Sequence, residues 1–453
     1  MEEHFRVARK ELRLDFFAIA DNAKLTEDPI KRRFYMRELE GPRGASDGRS
    51  PETLDSLIEF HRISKPDWQK LQRLVRDYYE PYNFVTFLAY EWCSATHGDH
   101  NVYYFNDDEP IRLPSNLPDL YKELSETRCM IIPHHSGYAL GRRGVNWNYH
   151  NPRLERLVEI FSLHGSSEEP QGSYFPLKNI GMGTNVPGGS VQEILNRGYK
   201  LGIMASSDCH EDPHQLVLTG VYSEELTREK IWQGLWDRHC FGTTGEKIEI
   251  KFSMDDYPMG SIYATDTFPG IKISIQGTRR IQRVDLIKNG GILKSWEVNK
   301  ENATFQMIDE TTPSKPDNYY YVRVLQENGS MGWSSPIWVS YLPELEPVRG
   351  YLFWEPEFEL LFTAKKKGSK MTLICTNESL EHFSARNIRF QIFRKTTSEK
   401  LFGAKFPKLN SEHSISVEFF LKRNQRVYSD LVCEVSYRDF YDNLRHIRRT
   451  MLR

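Results

Sequence analysis

The chain has no apolar run near the ~18 residues that a membrane-spanning helix requires. It has no Cys-x-x-Cys pair. Its six cysteines, at 93, 129, 209, 240, 375 and 433, are scattered, which argues against a disulfide framework and suits a reducing compartment. It has almost no excess charge. Sixty Lys and Arg stand against 62 Asp and Glu, a formal net charge of −2, so no global field pulls it toward nucleic acid or an anionic membrane. The opening Met1-Glu2-Glu3-His4-Phe5-Arg6 lacks the basic start and apolar core of a signal peptide. A cytoplasmic location is therefore expected. No internal repeat or low-complexity tract is present.

Hydrophobic residues make up 39% of the 453 positions, enough for sizeable cores in a few domains. From residue 3 to about 246, strand-like and helix-like segments alternate. Phe5 to Leu12 and the spacing of Trp68, Leu71, Leu74, Val75 and Tyr78 predict helices. Ser190-Val-Gln-Glu193 predicts a capping box opening a helix that stops at Gly198. Between these lie continuous apolar runs, at Leu14–Ala20, Phe84–Tyr90, Cys129–Ile132, Leu157–Leu163 and Leu201–Ser207. Strands apolar on both faces and separated by helices predict an α/β architecture with parallel pairing. Beyond 247 the period changes to strict alternation, with hairpin signals at Asn289-Gly290 and Asn328-Gly329. The expected domains are 1–246, an all-β module at 247–343, and a second β-rich, sandwich-like module at 344–453.

Each apolar run ends at a polar residue able to hold a cation. The set is Asp21, Glu91, His134, His135, His164, Asp208 and His210. In an extended chain, residues i and i+2 point the same way, so Asp208 and His210 would face one ion together. Imidazole mixed with carboxylate suits zinc, manganese or iron. Taken singly, each residue has a plainer reading: a hydrogen-bonded histidine, a helix-capping aspartate, or a salt-bridged glutamate. Recurrence at the ends of consecutive strands is harder to explain that way. The Arg142-Arg143 pair and the Lys365–Lys367 run have solvated surface as their ordinary reading.

Several pieces together resemble the PHP (polymerase and histidinol phosphatase) superfamily, in particular the branch known as domain of unknown function 3604. They are Leu14-Asp-Phe-Phe-Ala-Ile-Ala-Asp21-Asn22, Ala89-Tyr-Glu-Trp92, His100-Asn-Val-Tyr-Tyr104, Ile132-Pro-His-His135, Glu159-Ile-Phe-Ser-Leu-His164 and Ala205-Ser-Ser-Asp-Cys-His210. Arg238–Gly245, Tyr320–Val324 and Trp333–Trp338 extend the likeness to about residue 340. The resemblance implies a distorted (β/α)7 barrel with metal in its mouth, and a metal-dependent hydrolase of the phosphoesterase type. Glu91 would be a bridging carboxylate, with His134 and His164 completing one shell, Asp208 serving a second ion and His210 a third. Glu91, Asp208 and His135 would act in catalysis. His97, His100, Arg142 and Arg143 would contact a small phosphorylated or otherwise anionic substrate. The cations would lower the pKa of water, orient the substrate and neutralise phosphoryl charge.

The family pattern opens with a strand carrying His-x-His, which does not occur in this chain, and Ala20-Asp21-Asn22 stands where Thr-Asp-His is usual. One or two divalent ions (Zn, Mn or Fe) are therefore expected rather than three. A barrel without its first strand would expose an edge. Three accounts stay open: an upstream segment, a non-catalytic binding or assembly subunit, or an oligomer or partner chain covering that edge.

Overall fold

The computed structural model describes residues 1–22, 64–170, 174–177, 185–209, 212–311, 317–341, 360–367, 370–377, 385–394, 400–409, 414–420, 431–439 and 442–450. The fold is mostly β, at 48% strand against 14% helix, and one sheet curls into a half-barrel. This corrects the expected helix-rich (β/α)7 barrel.

The reason lies in how the strands connect. Strand β1 (Phe16–Asn22) pairs in parallel with β2 (Val85–Trp92), as expected. The connection after β2, residues 93–99, is too short for a parallel crossover, which takes a dozen residues or more. The chain turns back instead. Strand β3 (His100–Tyr104) runs antiparallel to β2, and β4 (Cys129–Pro133) antiparallel to β3. The next sheet again mixes directions. Strand β5 (Leu157–Ser162) pairs antiparallel with β6 (Gly165–Ser166) and parallel with β7 (Gly202–Ala205). Strands β8 (Leu218–Val221) and β9 (Cys240–Thr243) form an antiparallel pair.

The helices are few and well signalled. Helix α1 (Glu2–Lys10) buries Phe5, Val7 and Ala8. Helix α2 (Lys65–Tyr78) begins where the Ser64 hydroxyl accepts from the Asp67 amide at 3.2 Å. Its buried stripe of Trp68, Leu71, Leu74 and Val75 packs with Phe5, Leu88, Tyr90 and Tyr104. Helix α3 spans Leu117–Leu124. Helix α4 (Val191–Asn196) carries the capping box of Ser190 and Glu193. Helix α5 is Arg228–Trp236. Among the described residues no helix is long and apolar enough to cross a membrane.

The chain divides into two compact units. The first takes 1–251, 274–303 and 321–335, and the second takes 252–273, 304–320 and 336–453. In the first, Met331–Ser334 pairs with β9. The Ser335 hydroxyl accepts from the Ile203 amide at 2.8 Å. Buried Glu168 accepts from Tyr321 Oη at 2.6 Å, Trp333 Nε1 at 2.8 Å and Arg323 Nη1 at 3.2 Å. Of the hairpin signals, Asn289 and Gly290 both adopt positive φ, at 51° and 81°. In the second unit, Ile262–Thr265 lies between Ile337–Tyr341 and Leu444–Thr450, parallel to both. Ala385–Arg394 pairs antiparallel with Lys400–Leu409 and Leu431–Arg438 around a core including Ile388, Phe390, Ile392 and Val435.

Candidate metal centre

The C-terminal ends of β2, β4, β5 and β7 supply the site. Glu91 sits within β2 and is buried. His134 follows Pro133, the last residue of β4, and its amide donates to the Asp99 carbonyl at 3.0 Å. Its ring is clasped from both sides: Nδ1 lies 2.8 Å from Glu159 Oε1, and Nε2 lies 3.2 Å from Asp208 Oδ2. Asp208, just past β7, also meets His164 Nε2 at 2.8 Å. The other nitrogen of His164 is 2.6 Å from the Tyr138 hydroxyl. His135 stacks obliquely on His134, with ring centroids 3.9 Å apart.

Glu91, His134 and His135 each bring one donor atom to within 4.8 Å of the others. A second set, Glu91, Cys93 and Asp99, meets the same criterion. Two nitrogens and a carboxylate oxygen form a donor set of the zinc, manganese or iron kind. Burial of the first set, with the carboxylate flanking two imidazoles, fits a divalent ion.

The backbone is strained here. His135, Arg143 and Asp208 have φ of 31°, 70° and 53°. Such conformations cost of order 1–3 kcal/mol each and persist where surrounding structure over-determines them, often at functional sites.

The electrostatics separate the groups. Burial disfavours a charged ring at His134, but Glu159 and Asp208 outweigh it and hold its pKa well above the ordinary histidine value. Burial also works against ionisation of Asp208, yet His134 and His164 keep its pKa well below the carboxylate range. Asp99 is likewise held low, against burial, by Arg143 and His135. Glu91 goes the other way: burial, then the nearby Asp99, push it up to about 8. One guanidinium serves two carboxylates, and Asp99 takes the larger share. Burial and the neighbouring His134 lower His135 to about 3.

The structure thus gathers Glu91, His134, His135, His164 and Asp208. Asp21, one residue before the end of β1, is in register with Tyr90 and lines the same cleft of about 890 Å³ as Glu91, His134 and Asp208. His210 lies outside the described residues. Arg143 reaches Glu91 at 3.1 Å and Asp99 at 2.5 Å, so it belongs to the cluster rather than to solvated surface. Arg142 is half-buried, and its amide closes a turn on Ala139 at 2.9 Å. His97 packs edge-on against Tyr149 at 4.8 Å. His100 is committed elsewhere, with Nδ1 3.0 Å from the Gly98 carbonyl and Nε2 3.6 Å from Glu155.

Four participants were not anticipated: Cys93, Asp99, Tyr138 and Glu159. Glu159 had a readable signal. It is a carboxylate inside an otherwise apolar buried strand, and such a group needs partners; here Ser206 Oγ donates to it at 2.8 Å. Asp99 and Tyr138 sit in loops whose paths the sequence did not disclose.

The family described as "Protein of unknown function (DUF3604)" matches residues 13–171, a span that holds Glu91, His134, His135 and His164 but not Asp208. Uncharacterized proteins of Chlamydia trachomatis serovar D and Chlamydia muridarum are each 28% identical over 330 residues, covering 65% of this chain and 50% of theirs. A third, from Chlamydia pneumoniae, is 28% identical over 321 residues, covering 63% of this chain and 51% of its own. The chain spans about half the length of the curated relatives it matches. Among solved structures, the human OSCAR ligand-binding domain overlaps 45% of this chain and 96% of its own at 16% identity, with a TM-score of 0.19. A likeness that slight carries no argument.

Proposed function

We propose that this chain is a metal-dependent hydrolase of the phosphoesterase type, acting on a small anionic substrate. The observation that carries the reading is the convergence of Glu91, His134 and His135 donor atoms within 4.8 Å, beside the Asp208–His164 pair. The motif resemblance to the PHP superfamily supports it, without the barrel that the strand connections exclude.

Glu91 and His134, with His135 beside them, would hold a divalent ion, zinc, manganese or iron. When bound, such an ion supplies Lewis acidity at a phosphoryl oxygen and lowers the pKa of water. The protein's own groups do the rest. Asp208 stays ionised and fixes the His164 ring through Nε2. Tyr138 fixes the same ring through Nδ1. His164 is the more open of the two histidines paired to Asp208, with 28% of its side chain exposed against 2% for His134. It is therefore the one of the two better placed to exchange a proton with a bound substrate. Arg143 keeps its permanent positive charge against Glu91 and Asp99.

A second reading, a non-catalytic binding or assembly subunit, is favoured by one observation: the Arg143 guanidinium already lies across Glu91 and Asp99. Turnover separates the two. Metal-loaded protein should hydrolyse p-nitrophenyl phosphate or its diester, and Glu91→Ala and Asp208→Ala should each cut the rate at least ~100-fold, beyond the loss seen when only a ligand's support is removed. Added Mn²⁺ or Zn²⁺ at 100 times its Kd should stabilise the fold by about 2.7 kcal/mol. Protein that retains no metal by elemental analysis, and melts at the same temperature with or without it, would rule the hydrolase out.

A further inference from the structure

Nη2 of Arg143 touches three donor atoms at once. It lies 2.5 Å from Asp99 Oδ2, 3.1 Å from Glu91 Oε1 and 3.5 Å from Cys93 Sγ. These are the three side chains of the second converging set, whose donor atoms lie within 4.8 Å of one another. Two oxygens and a sulfur around one point form the donor set of a borderline cation such as zinc. Here a protonated nitrogen is at that point. Glu91 also belongs to the first set, with His134 and His135. A carboxylate with two oxygens shared by two donor sets is the arrangement of a paired-cation site.

The placement of Arg143 is built rather than casual. Its backbone holds φ of 70°, which a non-glycine residue adopts at a cost of order 1–3 kcal/mol. Its carbonyl accepts from the Asp99 amide at 3.4 Å. The turn that delivers it is closed by the Arg142 and Gly144 amides, donating to the Ala139 carbonyl at 2.9 and 3.1 Å. Only 13% of the side chain is exposed. A guanidinium keeps its charge at every accessible pH, so it is a permanent monocation at this position.

We propose that Arg143 takes the place of a second metal ion: the centre binds one divalent cation at Glu91, His134 and His135, and the pocket of Glu91, Cys93 and Asp99 is kept for the arginine. This rests on the hydrolase reading for the first ion but makes a separate claim about the second. It follows that Arg143 and a cation compete for one pocket. Removing the side chain opens that pocket to a metal, and the newcomer gains a thiolate ligand.

The test is stoichiometry and colour in the full chain. Co²⁺ titration of the wild type should saturate at one ion per chain, without thiolate-to-cobalt absorption in the near ultraviolet. Arg143→Ala should saturate at two, with that absorption. Arg143→Ala combined with Cys93→Ser should lose the absorption. If Arg143→Ala does not fold, Arg143→Met, which keeps most of the apolar stem, gives the same readout. Two ions in the wild type, or one ion and no thiolate band in both arginine variants, would overturn the proposal while leaving the first site standing. No ion in any form would remove the hydrolase reading as well.

Discussion

His164 Nε2 lies 2.8 Å from Asp208 Oδ2, and this contact joins the ends of two strands that pair in parallel, β5 and β7. Asp208 reaches His134 through the same oxygen at 3.2 Å. One carboxylate oxygen thus orients two imidazoles.

Replacing Asp208 should therefore destabilise the metal-free fold. Breaking a buried charge pair by removing one partner costs about 3–5 kcal/mol. The backbone adds a second term. Asp208 has φ of 53°, which Asn tolerates better than Ala. Asp208→Ala should be less stable than Asp208→Asn by about 1 kcal/mol, read from urea denaturation midpoints at constant slope. Equal midpoints would show that the strained backbone relaxes.

The acid–base balance predicts a sloping stability profile. Glu91 is raised from 4.5 to about 8 when folded. Its contribution is fully present below about pH 4.5 and is lost as the pH rises through about 8. Raised His134 acts in the same sense, present below its ordinary 6.5 and lost through a folded value well above that. Asp99 and Asp208 act at the opposite end, present above 3.8 and lost as the pH falls through their depressed values. His135, lowered to about 3, and His100, lowered by burial, oppose Glu91 below 6.5, so the melting temperature of metal-free protein should fall chiefly from about pH 6.5 to about pH 8, and Glu91→Gln should flatten the slope. An unchanged slope in that variant would place the titration elsewhere.

Gly144 is required by close approach. A Cβ there would lie 2.0 Å from the Tyr138 carbonyl oxygen and 2.4 Å from its carbon. Backbone must move to admit it. Gly144→Ala should cost about 1–3 kcal/mol and weaken metal binding by displacing Tyr138, whose ring packs on His135 at 5.1 Å, both measurable in one calorimetric titration and melt.

Glu168→Ala tests the network behind β9. It leaves Tyr321 and Trp333 with buried donors unmet, at about 1–3 kcal/mol each. Arg323 keeps Asp285 at 3.1 Å and Glu169 at 2.5 Å, so the loss should stay within about 2–6 kcal/mol in chemical denaturation. A loss within error of zero would show that water replaces the carboxylate.

Much of this was readable from residue order. Apolar runs located β1, β2, β4, β5 and β7, helical spacing located α2, and the capping box located α4, because burial and helix-end hydrogen bonding are local properties. Strand direction was not local. The reversal at 93–99 sets β3 antiparallel, and only the short connection betrays it. His134, Glu91 and Asp208 stood out because each follows or interrupts a buried strand. Asp99 and Arg143 did not, since their meeting depends on two loops whose shapes are set by turns at Gly98 and Ala139. Gly98, at φ of 85°, would place a Cβ 2.5 Å from Val145 Cα. Beyond residue 344, alternation places strands near 358–364, 370–376, 387–394, 413–421 and 427–437, where five strands are found, but passes over Lys400–Leu409 and Leu444–Thr450.

The interleaving of the two units along the chain has a practical corollary for anyone shortening the gene. A fragment stopping at 251 keeps every proposed ligand yet discards 274–303 and 321–335. Ile203, in the strand leading to Asp208, would lose its Ser335 partner, and Glu168 would lose Tyr321, Trp333 and Arg323 together. Serial deletions from the carboxyl end should thus cripple the ion-binding half well before any cut touches a proposed ligand.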